Sequence, residues 1–82
     1  MGPELDLHGL TVQEALPKID EFLNDTYRAG LHYVCIVHGK GSGILRRETS
    51  RYLATHPLVK SYRSADRYSG SIGATEVELI DN

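Results

Sequence analysis

Polar and apolar residues alternate at the start of the chain. In Glu4–His8, the apolar Leu5 and Leu7 occupy every second position, which is the pattern of a strand with one buried face. A glycine follows and interrupts the pattern. We therefore expect Asp6 and His8 to lie on the same exposed side of a first strand, one pleat apart.

Two later segments have the apolar spacing of helices. Thr11 and Glu14 form a capping-box pattern at the start of the first segment, and Gly30 suits its end. Pro17 lies inside this segment, so we expect a bend there or a helix whose regular part begins later. Ile44–Thr55 is expected to form the second helix, which a His-Pro pair closes.

Three further segments have the patterns of strands. His32–Val37 is rich in apolar and β-branched residues, as expected for a central strand covered on both faces or nearly so. Leu58–Ser64 and Thr75–Ile80 follow, joined by the polar segment Ala65–Gly73, which we expect to be a mobile hairpin loop. In the order β-α-β-α-β-β, right-handed crossovers make the first three strands parallel, and the hairpin makes the last one antiparallel. The pattern predicts an α/β fold with a mixed sheet.

Length and composition restrict the class of protein. With 82 residues the chain has room for one domain, and we interpret it as a fragment of a longer protein in which residues 1–3 are vector-derived or disordered. The lone Cys35 allows neither a disulfide nor a cysteine-based metal site, which favours a reducing, cytoplasmic setting. The longest apolar-rich stretch, Leu31–Val37, is too short to span a membrane, and no signal-peptide pattern is present.

The formal net charge of −2 conceals a basic centre. Residues 40–67 have a balance of +5, whereas residues 1–39 carry −4 and residues 68–82 carry −3. A solvated helix face accounts for such a run of charge as well as a nucleic-acid-binding surface does. The charge pattern alone therefore leaves both interpretations open.

Chemically active side chains follow two strands of the predicted sheet. Asp6 and His8 end the first strand and His38 ends the second, so neighbouring strands would bring a carboxylate and two imidazoles to one edge. The segment Gly39-Lys40-Gly41-Ser42-Gly43 then leads directly into the second helix. Exposed amides, the positive end of a helix dipole and a lysine make this segment a predicted anion site.

The spacing of the glycines argues against the common nucleotide sites. It matches neither the G-x-x-x-x-G-K-[ST] loop nor the G-x-G-x-x-G fingerprint, and Lys60 and Arg63 stand where the latter requires an acidic residue. Arg46 and Arg47 fall in the first turn of the second helix, where positive charge disfavours the helix but attracts phosphate. A phosphodiester backbone is the expected anion.

Each of these residues also has a purely structural interpretation. A histidine at a strand end is commonly a half-buried side chain bonded to a carbonyl group, and Asp6 is equally suited to orienting His8 or capping a turn. Tyr33, Tyr52 and Tyr62 are expected to pack in or near the core. Tyr68, beside Arg67, is the tyrosine that we consider for stacking on an unpaired base.

Three motifs together resemble one known family. Leu5–Gly9, His38–Gly43 and Gly73–Leu79 are similar to the Smr (small MutS-related) domain, and Leu45–Lys60 is most similar to the domain that closes bacterial MutS2 proteins. The resemblance implies a two-layer α/β sandwich like the C-terminal domain of translation initiation factor 3. It also implies cleavage of nucleic acid, with the functional motif on Asp6, His8, His38, Gly39, Lys40 and Gly41. Members of the MutS2 type often carry arginine at the position of His8.

The function expected from the resemblance is that of a nicking endonuclease. The loop amides, Lys40, Arg46, Arg47 and Arg67 would hold a phosphate of DNA or RNA with weak sequence specificity. His8 or His38 would move the proton, while Asp6 would fix the tautomer or hold a metal-bound water. We predict no definite cofactor, because donors from two strands are not a metal signature, although Asp6 and His8 are donors suited to a divalent metal.

A second function stays open at this point. The same surface suits a module without catalytic activity that docks a MutS2-like parent protein on branched DNA or on the ribosome. Such a parent is expected to be a homodimer through its other domains and to act in recombination or repair. A third class, a protein-interaction domain that never contacts nucleic acid, would show no dependence of binding on salt.

Overall fold

The described part of the chain forms two helices and four strands. The computed structural model describes residues 2–39, 41, 43–65 and 73–81. The elements are β1 (Glu4–Asp6), α1 (Val12–Arg28), β2 (Tyr33–Val37), α2 (Ile44–Thr55), β3 (Val59–Ser64) and β4 (Ala74–Leu79). The predicted order of strands and helices is confirmed.

The four strands form one mixed sheet in the order β1-β2-β4-β3. β1 pairs with β2 in parallel, and β4 is antiparallel to both of its neighbours. The first three strands therefore run in one direction, as predicted, but β4 is inserted between β2 and β3. This insertion places the amino end of β4 beside the carboxyl ends of β1, β2 and β3, at one edge of the sheet.

Helix α1 begins upstream of Pro17. Thr11 Oγ1 accepts the Glu14 N–H at 3.2 Å, and Glu14 Oε1 accepts the Thr11 N–H at 2.9 Å, so the capping box is present. The helix then continues through the exposed Pro17 to its last turn. The expectation of a later start is wrong, because the cap satisfies the first-turn amides upstream of the proline and apolar packing holds the turns beyond it. The helix buries Ala15, Ile19 and Leu23 completely.

The core lies on one side of the sheet. Leu7, Val34, Ile36, Val77 and Leu79 are buried there against residues of α1 and against Leu53 of α2. No helix of the described residues lies on the other face, where Tyr33 is 64% exposed. The expectation that β2 is covered on both faces is therefore wrong, because both helices pack on the same face. The expected packing role is also wrong for Tyr33 and for the exposed Tyr62, whereas Tyr52 is partly buried against the core.

The pairing of β1 extends beyond its assigned ends. The Pro3 carbonyl accepts the Cys35 N–H at 2.9 Å, and the Leu7 N–H donates to the Val37 carbonyl at 2.6 Å. The segment expected to be a mobile loop joins β3 to β4, and its residues 66–72 lie outside the described part of the chain. Within the described ranges, neither α1 nor α2 is long and apolar enough to cross a membrane.

Candidate functional site

Asp6 and His8 form a hydrogen-bonded pair where β1 ends. Asp6 Oδ1 accepts the backbone N–H of His8 at 3.0 Å and lies 3.1 Å from His8 Nδ1. These two hydrogen bonds, the backbone one first, lower the pKa of the Asp6 carboxyl. The side chains of His8 and Asp6 are 74% and 59% exposed. An ionised Asp6 keeps the proton on Nδ1, so Nε2 of a neutral His8 carries a lone pair that solvent or substrate can reach.

His38 has a very different environment at the end of β2. His38 is only 4% exposed to solvent. Nδ1 lies 3.3 Å from the Gly39 carbonyl oxygen and Nε2 lies 2.9 Å from Thr75 Oγ1. Because a carbonyl only accepts, Nδ1 donates to it and the Thr75 hydroxyl donates to Nε2. Burial lowers the pKa of His38, the Gly39 hydrogen bond raises it, and the charge of Arg46 lowers it further. His38 is thus a neutral side chain with both nitrogens engaged.

Glycines let the ends of three strands touch. Gly39 has a φ of +82°, and a Cβ on it would lie 3.2 Å from the Cβ of His8. A Cβ on Gly73 would lie 3.0 Å from the carbonyl carbon of Gly39. The Gly73 carbonyl accepts the N–H groups of His38 and Gly39 at 2.8 and 3.0 Å. The backbone at Gly39 is therefore packed closely between His8 and Gly73, and a side chain at either glycine would require its neighbour to shift.

The start of α2 combines a helix N-terminus with basic side chains. Its N-cap is Gly43, in the left-handed conformation with a φ of +87° and no side-chain cap, and its first turn holds no acidic residue. Arg46 and Arg47 lie in that turn, as predicted from the sequence. Gly41 is exposed nearby, while Lys40 and Ser42 lie outside the described residues. In contrast to the fully capped α1, the positive end of α2 has no described acidic group to balance it.

A groove of about 710 Å³ runs between α2 and the strands β3 and β4. We call it the arginine groove; it is lined by Gly43, Arg46, Arg47, Ser50, Arg51, Ala54, Tyr62, Arg63, Ser64 and Thr75. Thr75 connects this groove to His38. Of the predicted phosphate-binding arginines, the structure places Arg46 and Arg47 on the groove, and Arg67 lies outside the described residues.

Sequence reasoning missed several residues of this site. Arg51 follows Arg47 by one helical turn, a spacing that would have placed both on the same face. Thr75 was assigned to the last strand, but nothing in the sequence indicated that it would meet His38. Tyr62 was assigned to packing, although it lines the groove and is 38% exposed.

The described residues do not complete a metal site. Asp6 and His8 supply two adjacent donors, but His38 directs its nitrogens to Thr75 and Gly39. No group of three His, Cys, Asp or Glu side chains that would hold an ion occurs in residues 2–39, 41, 43–65 and 73–81. The donor set therefore does not fit a protein-held divalent metal, and we derive no chemical step through one.

The buried His38 makes stability depend on pH. Because its pKa is lowered from the ordinary 6.5, the unfolded chain takes up a proton that the folded chain refuses as pH falls below 6.5. We expect stability to fall with pH in this range, down to the lowered folded pKa, and His38→Gln to reduce that slope. Urea unfolding between about pH 7 and pH 5 measures it, with the exposed His32 replaced by glutamine as control. Equal slopes in the parent and His38→Gln proteins would contradict this assignment.

Comparison with known proteins identifies the family. The family model of the Smr domain matches residues 5–80. Proteins named Endonuclease MutS2 from Thermomicrobium roseum and Pelotomaculum thermopropionicum are 48% and 47% identical over 94% and 96% of the chain. The chain spans only 10% of the length of these relatives.

Two solved structures have the same fold. The Smr domain of Thermus thermophilus MutS2 superimposes with a TM-score of 0.91 at 38% identity, covering 96% of this chain and 99% of that one. YdaL, a stand-alone small MutS-related protein from Escherichia coli, gives 0.84 at 30% identity, covering 93% of this chain and 63% of that one. With a four-stranded mixed sheet, two helices and matching motifs, this chain belongs to the Smr domain family.

Proposed function

We propose that this domain nicks the phosphodiester backbone of nucleic acid, in DNA or in RNA, with weak sequence specificity. The observation that carries the proposal is the exposed Asp6–His8 pair, which lies against Gly39 in the loop that leads into α2. A base with an orienting carboxylate beside an anion site is the arrangement that phosphodiester cleavage needs. The name Endonuclease MutS2 of the matching relatives supports the same reaction class.

In this mechanism His8 acts as the general base. The nucleophile is water for DNA and the 2′-hydroxyl for RNA. His8 Nε2 takes the proton from this nucleophile as the nucleophile's oxygen forms a bond to phosphorus. The bond from phosphorus to the leaving oxygen breaks, and solvent protonates that oxygen. Asp6 keeps Nδ1 protonated and stabilises the imidazolium that forms. RNA is the easier substrate, because its nucleophile is already part of the chain.

The phosphate is held from the α2 side of the site. The first turn of α2 with Arg46 and Arg47 supports this assignment, and we extend it to Gly39, Lys40, Gly41, Ser42, Gly43 and Arg67 as in the sequence motif. These groups recognise charge rather than base edges, which accounts for weak sequence specificity.

His38 has a positioning role in this scheme rather than that of a base. A neutral, buried imidazole whose Nε2 already accepts from Thr75 cannot take a proton without breaking that hydrogen bond. The hydrogen bonds of His38 to Thr75 and Gly73 connect β2 to β4. They thereby hold the adjacent Gly39 in position, against which His8 packs. The sequence left open whether His8 or His38 acts as the base, and the geometry favours His8.

A nicking assay tests the proposed reaction. We expect the purified domain to convert supercoiled plasmid to the open circle or to cut labelled RNA, and His8→Gln to reduce the activity to a small residual rate while the domain stays folded by circular dichroism. Incubation with and without Mg²⁺ shows whether an added ion changes the rate. Cleavage that survives His8→Gln at the parent rate would refute the catalytic assignment.

A second function has one observation in its favour. Water-driven DNA hydrolysis without a metal is extremely slow, and the described residues hold no three-donor metal site. A module that only binds nucleic acid or the ribosome, within a homodimeric cytoplasmic parent active in recombination or repair, would need the anion site alone. Salt-sensitive binding without any cleavage would establish this alternative.

A further inference from the structure

We propose that the arginine groove binds a single-stranded segment of nucleic acid and stacks one of its unpaired bases on Tyr62. The inference rests on the proposed function and names the form of substrate that the same site would take. The groove leads from the start of α2 along the helix and past Thr75, the hydrogen-bond partner of His38.

One face of α2 forms the cationic wall of the groove. Its lining residues recur at intervals of three and four positions, which keeps them on one side of the helix from Gly43 to Ala54. At 1.5 Å per residue this face is about 16 Å long, enough for about five stacked nucleotides and fewer in an extended strand. Between these ends α2 carries three arginines and one glutamate, namely Arg46, Arg47, Arg51 and Glu48.

The arginines are available to a ligand. Arg47 and Arg51 share the carboxylate of Glu48, at 3.4 Å each, in exposed ion pairs that are easily exchanged for phosphate. Arg46 has no ion pair within the described residues, and it lines the groove together with Thr75, the hydrogen-bond partner of His38. The cationic wall thus extends to the edge of the sheet at which His38 lies.

Tyr62 supplies an aromatic surface in the floor of the groove. It pairs with Val77, so its side chain lies on the helix-covered side of the sheet. Val77 is 1% exposed, whereas Tyr62 is 38% exposed and lines the groove between α2 and β3. An accessible ring opposite a row of arginines is the combination that binds single strands, in which bases stack on the ring and phosphates follow the charges.

A duplex fits these features less well than a single strand. The bases of a duplex are stacked on each other, so Tyr62 would gain no base face, and only the arginines would contribute. The opposite, open face of the sheet carries Glu4, Glu76 and Glu78, as the register with β2 shows. Glu76 and Glu78 are paired there with Arg63 and Lys60, and Asp6 with His8, so the described residues of this face offer phosphate no row of cations comparable to that of α2.

Fluorescence anisotropy with three probes of equal length tests the inference. The probes are a single-stranded oligonucleotide, its duplex, and an abasic oligonucleotide that keeps the phosphates without the bases. We expect the single strand to bind most tightly, and Tyr62→Leu to weaken that binding by about 5- to 150-fold while leaving the abasic probe unaffected. Tyr62→Phe should restore binding, because it keeps the ring.

Matched controls separate stacking from other effects. Tyr33→Leu removes a more exposed tyrosine on the open face and should leave binding unchanged. Arg51→Gln should weaken all three probes and lower the dependence of log K on log salt by about 0.7 for the single strand. Equal binding of duplex and single strand, or a Tyr62→Leu protein that binds the single strand normally, would overturn the inference.

The same assay keeps this inference distinct from the proposed reaction. His8→Gln is expected to retain single-strand binding while losing cleavage. If His8→Gln still cleaves but Tyr62→Leu loses single-strand binding, the catalytic assignment fails and the groove assignment stands. If only the groove results are contradicted, nicking by the Asp6–His8 pair is unaffected.

Discussion

Asp6→Asn is expected to slow phosphodiester cleavage by about 10²- to 10⁴-fold, mainly in kcat, with little change in KM. Asparagine keeps the shape of the side chain and still accepts the His8 N–H, so the turn after β1 survives. It loses the negative charge that holds the proton on Nδ1 and stabilises the imidazolium. Initial rates of nicking over a range of substrate concentrations measure kcat and KM separately.

Two further variants show whether Asp6 acts through His8. Glu4 is another exposed carboxylate on β1, one pleat away, so Glu4→Gln controls for the general loss of negative charge and should cleave at the parent rate. The double variant Asp6→Asn, His8→Gln should be no slower than His8→Gln alone, because the two side chains act as one unit. Additive losses would mean that Asp6 does something other than orient His8.

Gly39→Ala is expected to slow cleavage several-fold at a moderate cost in stability. A left-handed alanine costs about 1–2 kcal/mol, and its Cβ would meet the His8 Cβ at 3.2 Å. His8 must then shift by a few tenths of an ångström. Since a displacement of about 1 Å at a reacting group costs about 100-fold in rate, we expect this smaller shift to slow cleavage several-fold.

Gly30→Ala is the matched control for that substitution. Gly30 has almost the same φ, +81°, but a Cβ there would have no atom within 4 Å. It should lose about as much free energy of unfolding from backbone strain as Gly39→Ala, yet cleave at the parent rate. Urea unfolding and the nicking assay on both proteins measure the two effects. Similar cleavage by both variants would show that the contact between Gly39 and His8 is not needed.

The local patterns of the sequence determined much of this protein. Capping-box residues three positions apart set the start of α1, and alternation along Glu4–His8 placed Asp6 beside His8, with which it forms hydrogen bonds. Arg46 and Arg47 were predicted for the first turn of α2 because helix periodicity and the preceding glycines are visible in the sequence. In each case the interacting groups are two to four positions apart, so the chain's own geometry brings them together.

Tertiary structure decided the remaining features. The insertion of β4 between β2 and β3 brings Thr75 to His38 across 37 positions and buries that histidine, which is why we propose a positioning role for it rather than that of a base. The same pairing brings Gly73 against Gly39, and the groove between α2, β3 and β4 leaves Tyr62 exposed. Such contacts depend on which strands pair and on how far a helix reaches over them. The spacing of apolar residues determines which face of a helix or strand is buried, but it does not determine which other elements pack beside it.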